Sequence, residues 1–502
     1  MKKKILFIIS LLGIILTWQI SQVRTVFADD KIDVVTTFYP VYDFTKGVVG
    51  DEGNVSMLIK AGTEPHDFEP STKNIATIQD ADAFIYMNDN METWVSSLSK
   101  SIDTKKITIV QGTGNMLLLG SSGEEEEGHE GHSHAYDPHV WLSPKRAITV
   151  VENIRDSLVA SFPDKADAFK ANAAAYIEKL NALDSEYATA LTDAKQKSFV
   201  TQHAAFNYLV LDYGLTQVSI TGVTAETEPS AKRLASLTKY IKKYDIKYIY
   251  FEENASSKVA KTLADEAGVK TAVLNPIESL TKKQIKAGED YFSVMRENLK
   301  SLELTTSVAG KDIKSETETT ETVANGYFKD KDIKKRQLTD WSGKWQSIYP
   351  YVLDGTFNEV FDYKAKASKG AKTAEEYKDY YTTGFQTDVE QININGKKKT
   401  ITFIQNGVKH KFTYKSAGYK ILTYEKGNRG VRYLFETDDK NAGQFKYVQF
   451  SDHSITSTKA EHFHIYWGGD SQEAILNELT NWPTYYPTSL TGHEIAQEIV
   501  AH

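Results

Sequence analysis

No cysteine occurs in the 502 residues of this chain. Disulfides, thiolate metal sites and a sulfur for lipid attachment at the amino terminus are thereby excluded, and any soft metal must be held by imidazole and carboxylate. Excess positive charge is missing as well: the net charge of −8 argues against a nucleic-acid partner, because phosphate binding needs clustered Lys and Arg. Long apolar runs are confined to the amino terminus. There Lys2, Lys3 and Lys4 precede an apolar run from Ile5 to about Ile20, and Val26, Phe27 and Ala28 come before Asp29. A basic head, a short apolar stretch and small residues at the cleavage positions read as a secretory signal, residues 1–28. The alternative is the same run retained as a membrane anchor, although it is short for a span of roughly 20 residues.

What remains has an ordinary globular composition, 40% hydrophobic and 25% charged, with 28 Tyr and 22 Phe. From residue 29 to about 304, short β-branched runs alternate with helical patterns. Strands are expected at Val34–Phe38, Val55–Ile59, Ala83–Met87 and Ile107–Val110, and again at Ser198–Thr201, Gln217–Ile220, Tyr248–Phe251 and Thr271–Leu274. Such alternation predicts parallel sheets wrapped by helices, here in two α/β lobes. Between them the Ala-, Leu-, Glu- and Lys-rich stretch from about Lys165 to Lys195 predicts a helix on the order of 45 Å long, a spine for the domain. A low-complexity insert, GEEEEGHEGHSH at 123–134, interrupts the first lobe and cannot build a core.

Residues 305–325 turn to Thr, Glu, Lys and Ser, which marks a linker. Beyond it, from 326 to 502, period-two runs are broken by turns such as Asn395-Gly396 and Asn406-Gly407, predicting a separate antiparallel β-barrel or sandwich.

Three of the twelve histidines fall beside predicted strand ends or helix starts. His66 lies in AGTEPHDFEP after the strand ending at Ile59, His203 follows Ser198–Thr201, and His139 stands in YDPHVWLSP. Glu278, in NPIESL, follows Thr271–Leu274; the pair Glu252 and Glu253 also follows a strand and is the competing carboxylate. Because open α/β sheets bind ligands beyond the carboxyl ends of their strands, these groups can converge in one cleft. Three imidazoles and a carboxylate suit tetrahedral Zn²⁺. A second set lies in the carboxyl-terminal region. His462 and His464 sit two apart in a predicted strand, so both rings leave the same face, and His453 would lie across the hairpin. The insert histidines His129, His132 and His134 are expected to bind zinc weakly. His410, His493 and His502 lack such context and read as ordinary surface residues.

GTEPHDFEPS, DPHVWLSP and FVTQHAAFNYLVLDYG resemble the metal-binding solute-binding proteins of ABC importers, and over nearly its whole length the chain is similar to the AdcA-type zinc-binding proteins of Gram-positive bacteria. FKYVQFSDH, EHFHIYWGG, WSGKWQSIYP and NWPTYYP resemble ZinT, a calycin-like barrel. The resemblance implies ligands at His66, His139 and His203 with a carboxylate at Glu278, and a second zinc at His453, His462 and His464. Manganese-specific relatives carry a carboxylate where His203 stands, so the third imidazole favours zinc. Related zinc proteins also have a His-rich acidic loop before the DPH motif, thought to collect or deliver metal.

The implied partners are the permease and ATPase of a zinc importer, with a monomer working at the outer face of the membrane. Many family members carry a lipobox Cys, which is absent here. Two alternatives are a zinc hydrolase, since three ligands and an open position also describe a catalytic metal, and a manganese-binding surface adhesin. A flexible tether would hold the barrel near the lobed domain, raising local zinc concentration into the millimolar range.

Overall fold

The computed structural model describes residues 31–121, 136–220, 231–252, 258–311, 323, 325–424, 427–477 and 480–501. The signal segment 1–28, the insert histidines His129, His132 and His134, and Glu253 and His502 lie outside the described residues. No helix among the described residues is long and apolar enough to cross a membrane. The chain divides into two compact units. One comprises Met1–Gly114, Ile148–Asn181 and Ile277–Tyr291, the other Asn115–Ala147, Ala182–Pro276 and Phe292–His502. The 27-residue helix Ala166–Thr192, the expected spine, shares its residues between them.

The first unit holds a four-stranded sheet of β1 (Ile32–Thr36), β2 (Gly53–Met57), β3 (Ala83–Tyr86) and β4 (Thr108–Gln111), ordered β2-β1-β3-β4. Every pairing is parallel. All four residues of β3 are buried, as a parallel strand covered on both faces requires. The helix Tyr39–Val49 follows β1 directly; Pro40 fits its first turn, and Phe44, Val48 and Val49 face the core. Gly47 lets this helix meet Tyr176 closely, for a Cβ there would lie 2.3 Å from the Tyr176 ring. Beyond the carboxyl ends of β1 and β3, the fully buried Glu92 accepts hydrogen bonds from Thr37 Oγ1 (2.5 Å) and from the backbone N–H groups of Met87 and Asn88 (both 3.0 Å).

The second unit repeats this topology with β5 (Ser198–Thr201), β6 (Thr216–Ser219), β7 (Tyr248–Phe251) and β8 (Lys270–Val273), ordered β6-β5-β7-β8 and again parallel throughout. Each strand was expected within two residues of its observed bounds. The helix that follows β5 begins at Asn207, because residues 202–206 form turns that carry His203. The helix Tyr291–Thr306 runs through the expected start of the linker at Thr305.

The same unit contains one nine-stranded antiparallel sheet: β9 (Gly343–Ser347), β10 (Val389–Asn395), β11 (Thr400–Gln405), β12 (Val408–Thr413), β13 (Lys415–Thr423), β14 (Arg429–Glu436), β15 (Tyr447–Ser451), β16 (Phe463–Gly468) and β17 (Thr484–Pro487). The order is β12-β11-β10-β9-β17-β16-β15-β14-β13, with β12 and β13 as its two edges. It is a curled half-barrel, its strands wrapping a single aromatic core in which Trp341 stacks on Phe450 and Phe403 on Phe445. Residues of most strands enter that one core, and this curling is what the barrel expectation captured.

Five helices were not anticipated in this region: Tyr349–Leu353, Asn358–Ala367, Ala374–Phe385, Gln472–Leu476 and Gly492–Ala501. They matter for the expected tether. Ile348, Val352, Phe357, Val360, Phe361, Tyr486 and Ile495 form a core with Leu117, and Leu119 and Leu211 pack against it. The carboxyl-terminal module is therefore seated on the same unit that carries His139 and His203, and does not hang free on its linker. Linker composition reports only the cost of closing a loop, which is small beside the burial of such a core.

Candidate metal centres

His66 is set by a loop that begins two residues after β2. Phe68 N–H donates to Pro65 O (3.2 Å), Phe68 packs edge-on against Trp94 with ring centres 6.0 Å apart, and Gly62 N–H donates to Ser279 Oγ (2.6 Å). The last bond ties the loop to the residue after Glu278. Ile277, fully buried, adopts φ +57°, a conformation costly for a β-branched side chain, immediately before Glu278. Nε2 of the half-buried His66 lies 3.4 Å from Oε1 of the buried Glu278.

His139 and His203 form a second pair. The buried Asp137 accepts from the His139 backbone N–H (3.0 Å) and from His139 Nδ1 (2.7 Å) through Oδ1, and from Asn207 Nδ2 (2.9 Å) through Oδ2. Glu252, after β7, likewise accepts from His203 Nδ1. A carboxylate oxygen accepts here, so each Nδ1 carries the proton and Nε2 is the unprotonated nitrogen of each ring. The two Nε2 atoms face each other at 3.4 Å.

Around tetrahedral zinc, ligands at about 2.0–2.1 Å lie about 3.3–3.4 Å apart, so each pair already has the length of one tetrahedral edge. His66 and Glu278 belong to the first unit, and His139 and His203 to the second. Glu252, the competing carboxylate of the sequence reading, instead holds the far side of the His203 ring. The sequence reading missed Asp137 altogether, although it stands two residues before His139 in the quoted motif.

His453, His462 and His464 come together in the curled sheet's unit, with ring centres 5.4–6.1 Å apart. That is somewhat wider than the 5.2 Å between His139 and His203. His464, on β16, donates from Nδ1 to Thr484 Oγ1 (2.7 Å), whose own proton goes to Trp482 O (2.9 Å), so its Nε2 is free. Burial, and then the neighbouring His453, His462 and Arg432, push the His464 imidazole well below its usual pKa, favouring the neutral form that binds metal. His462 stacks on Tyr486 at 5.0 Å and 12°. His453 is exposed, with φ +62°, on a loop held by the buried Arg336, which bonds Asp452, Asp340 and Thr458 O. Of the remaining histidines, His410 is half-buried beside Phe445 and His493 is exposed.

These two centres can be set against known proteins. Residues 34–304 match the family described as "Zinc-uptake complex component A periplasmic", and residues 319–502 the family described as "ZinT (YodA) periplasmic lipocalin-like zinc-recruitment". Zinc-binding protein AdcA of Streptococcus pyogenes serotype M18 is 67% identical over 515 residues, covering 100% of both chains. The chain belongs to the AdcA family of zinc-binding proteins. Zinc-binding lipoprotein AdcA of Streptococcus pneumoniae serotype 4 is 60% identical over 508 residues, also covering 100% of both. The crystal structure of Zn(II)-bound AdcA from Streptococcus pneumoniae has a TM-score of 0.83 at 60% identity, covering 94% of this chain and 100% of that one. The expected two-part architecture is thus that of a known family. As a member, the chain is an exported zinc-binding component of a zinc-uptake system that works with an ABC permease and ATPase.

Proposed function

We propose that His66, His139, His203 and Glu278 hold one Zn²⁺ as cargo for import, and that His453, His462 and His464 hold a second. The observation that carries the first assignment is the pair of 3.4 Å separations, His66 to Glu278 and His139 to His203, each matching a tetrahedral zinc edge. Hard cations prefer all-oxygen shells, so three imidazoles favour zinc over manganese. Four protein donors leave no position for a hydrolytic water, so the first centre carries metal without catalysis. The triad keeps a fourth position for water or a borrowed ligand, which suits capture and release.

The pneumococcal relative is named a lipoprotein, whereas this sequence has no Cys to carry a lipid. We place the mature start at Asp29, with the chain acting as a monomer at the outer membrane face. Mass spectrometry of secreted protein checks the cleavage. Metal analysis after chelator stripping and zinc reloading tests the two centres: two equivalents are expected, and one after His66→Ala with His203→Ala. Retention of both equivalents after all seven substitutions would overturn the assignment.

A further inference from the structure

The segment Leu117–Leu119 is gripped from two sides. On one side, Leu119 N–H donates to Tyr208 Oη (2.9 Å), Tyr208 donates onward to Asp137 O (2.7 Å), and Asp137 N–H returns to Leu119 O (2.8 Å). Asp137 is the residue that fixes the His139 ring. On the other side, the carboxyl-terminal module takes hold. Tyr363 donates to Leu117 O, Leu117 N–H reaches Glu359 Oε1 (3.4 Å), and the Gln497 side chain bonds both Leu118 N–H and Leu118 O, each at 2.7 Å. Arg146 donates to Tyr363 (2.6 Å) while chelating Asp212 (2.9 and 3.1 Å), and Lys366 of the module reaches the same Asp212 carboxylate (2.8 Å). Three consecutive residues thus join the module to the support of one candidate ligand.

We propose that seating of the carboxyl-terminal module against Leu117–Leu119 positions His139 and thereby slows zinc release from the first centre. The inference rests on the reading of His139 as a ligand. Released from Tyr363, Glu359 and Gln497, the segment would give these bonds to water, and Tyr208 would anchor Asp137 to a segment free to shift. A ligand held within a few tenths of an ångström keeps its metal longer than one that wanders. Tyr208, Tyr363 and Gln497 are positioning residues in this scheme; none faces the metal itself.

The test uses the full chain with His453, His462 and His464 replaced by Ala, so that only the first centre loads. Zinc release into excess chelator is followed by stopped flow. Tyr363→Phe, which keeps the ring and loses the hydroxyl, should accelerate release about fivefold, the equivalent of one hydrogen bond. Lys366→Gln, at a partly exposed position that should leave folding intact, should act in the same direction by a smaller factor. Tyr208→Phe should also accelerate release, and combined with Tyr363→Phe should give less than the product of the two effects. Unchanged release in both Tyr363→Phe and Lys366→Gln would overturn the inference, as would strictly multiplicative effects of the two tyrosine changes. If the triad-free parent loads no zinc, the assignment of the first centre itself fails, and the positioning role falls with it.

Discussion

Replacing Glu252 by Gln separates a ring-holding carboxylate from a metal ligand. In the native protein the carboxylate accepts from His203 Nδ1, so Nε2 is the unprotonated nitrogen. Gln keeps the shape but not the charge, and its amide can turn to offer N–H to Nδ1, driving the proton onto the nitrogen that should bind metal. Removing such a support costs about 10–100-fold in metal affinity, or about 1.4–2.7 kcal/mol. Glu278→Gln removes an anionic donor lying 3.4 Å from His66 Nε2 and should cost more than 100-fold, beyond the ~2.7 kcal/mol of the first change. The assay is competition against a chelating dye at pH 7.5, in a chain whose carboxyl-terminal triad is replaced by Ala. A larger loss from Glu252→Gln than from Glu278→Gln would refute this division and make Glu252 the ligand. Affinity within twofold of the parent for Glu252→Gln would refute its role altogether.

Other outcomes follow from the same structure. His464→Ala should reduce bound zinc from two equivalents to one while leaving growth on moderately scarce zinc intact, whereas His203→Ala should abolish that growth; equal defects would contradict the assigned roles. Burial raises the Glu92 carboxyl from 4.5 to about 7, against the lowering effect of its bonds from Met87, Thr37 and Asn88. The folded state therefore binds more protons than the unfolded between those values, and up to about 3 kcal/mol of stability should be lost as pH rises from 4.5 through about 7. Thermal unfolding of metal-free protein across that range reads the slope, and Glu92→Gln should flatten it. Gly47→Ala drives a methyl to 2.3 Å from the Tyr176 ring and should destabilise the first unit by about 1–3 kcal/mol in urea titration; an unchanged midpoint would mean the two helices part freely.

The strands of both parallel sheets were legible because their apolar runs are short and bounded by helical patterns, and the ligand candidates were legible because strand ends locate them. His462 and His464 needed only a two-residue period, although β16 begins at Phe463 and His462 stands just before it. What composition could not disclose was whatever depends on long-range geometry. Asp137 and Glu252 are ordinary acids in the sequence, and only the folded chain sets them behind imidazoles. The strained Ile277 carries no sequence mark, because its φ is imposed by its surroundings. The helices from Tyr349 to Phe385 escaped notice because their many aromatic residues read equally well as strand, and the Thr373–Glu376 capping box that opens one of them was overlooked. The seating of the module depends on Leu117 and Tyr363, which are 246 positions apart.

His453 stands in a left-handed turn, with φ +62°. Glycine would adopt that shape at no steric cost, and an L-residue pays roughly 1 kcal/mol for it. Folding on its own terms would thus prefer His453→Gly, which should leave the half-barrel intact or slightly firmer while its metal grip fails. Damage at this position would pass unseen in any screen for expression, solubility or melting temperature, and would surface only when zinc runs short.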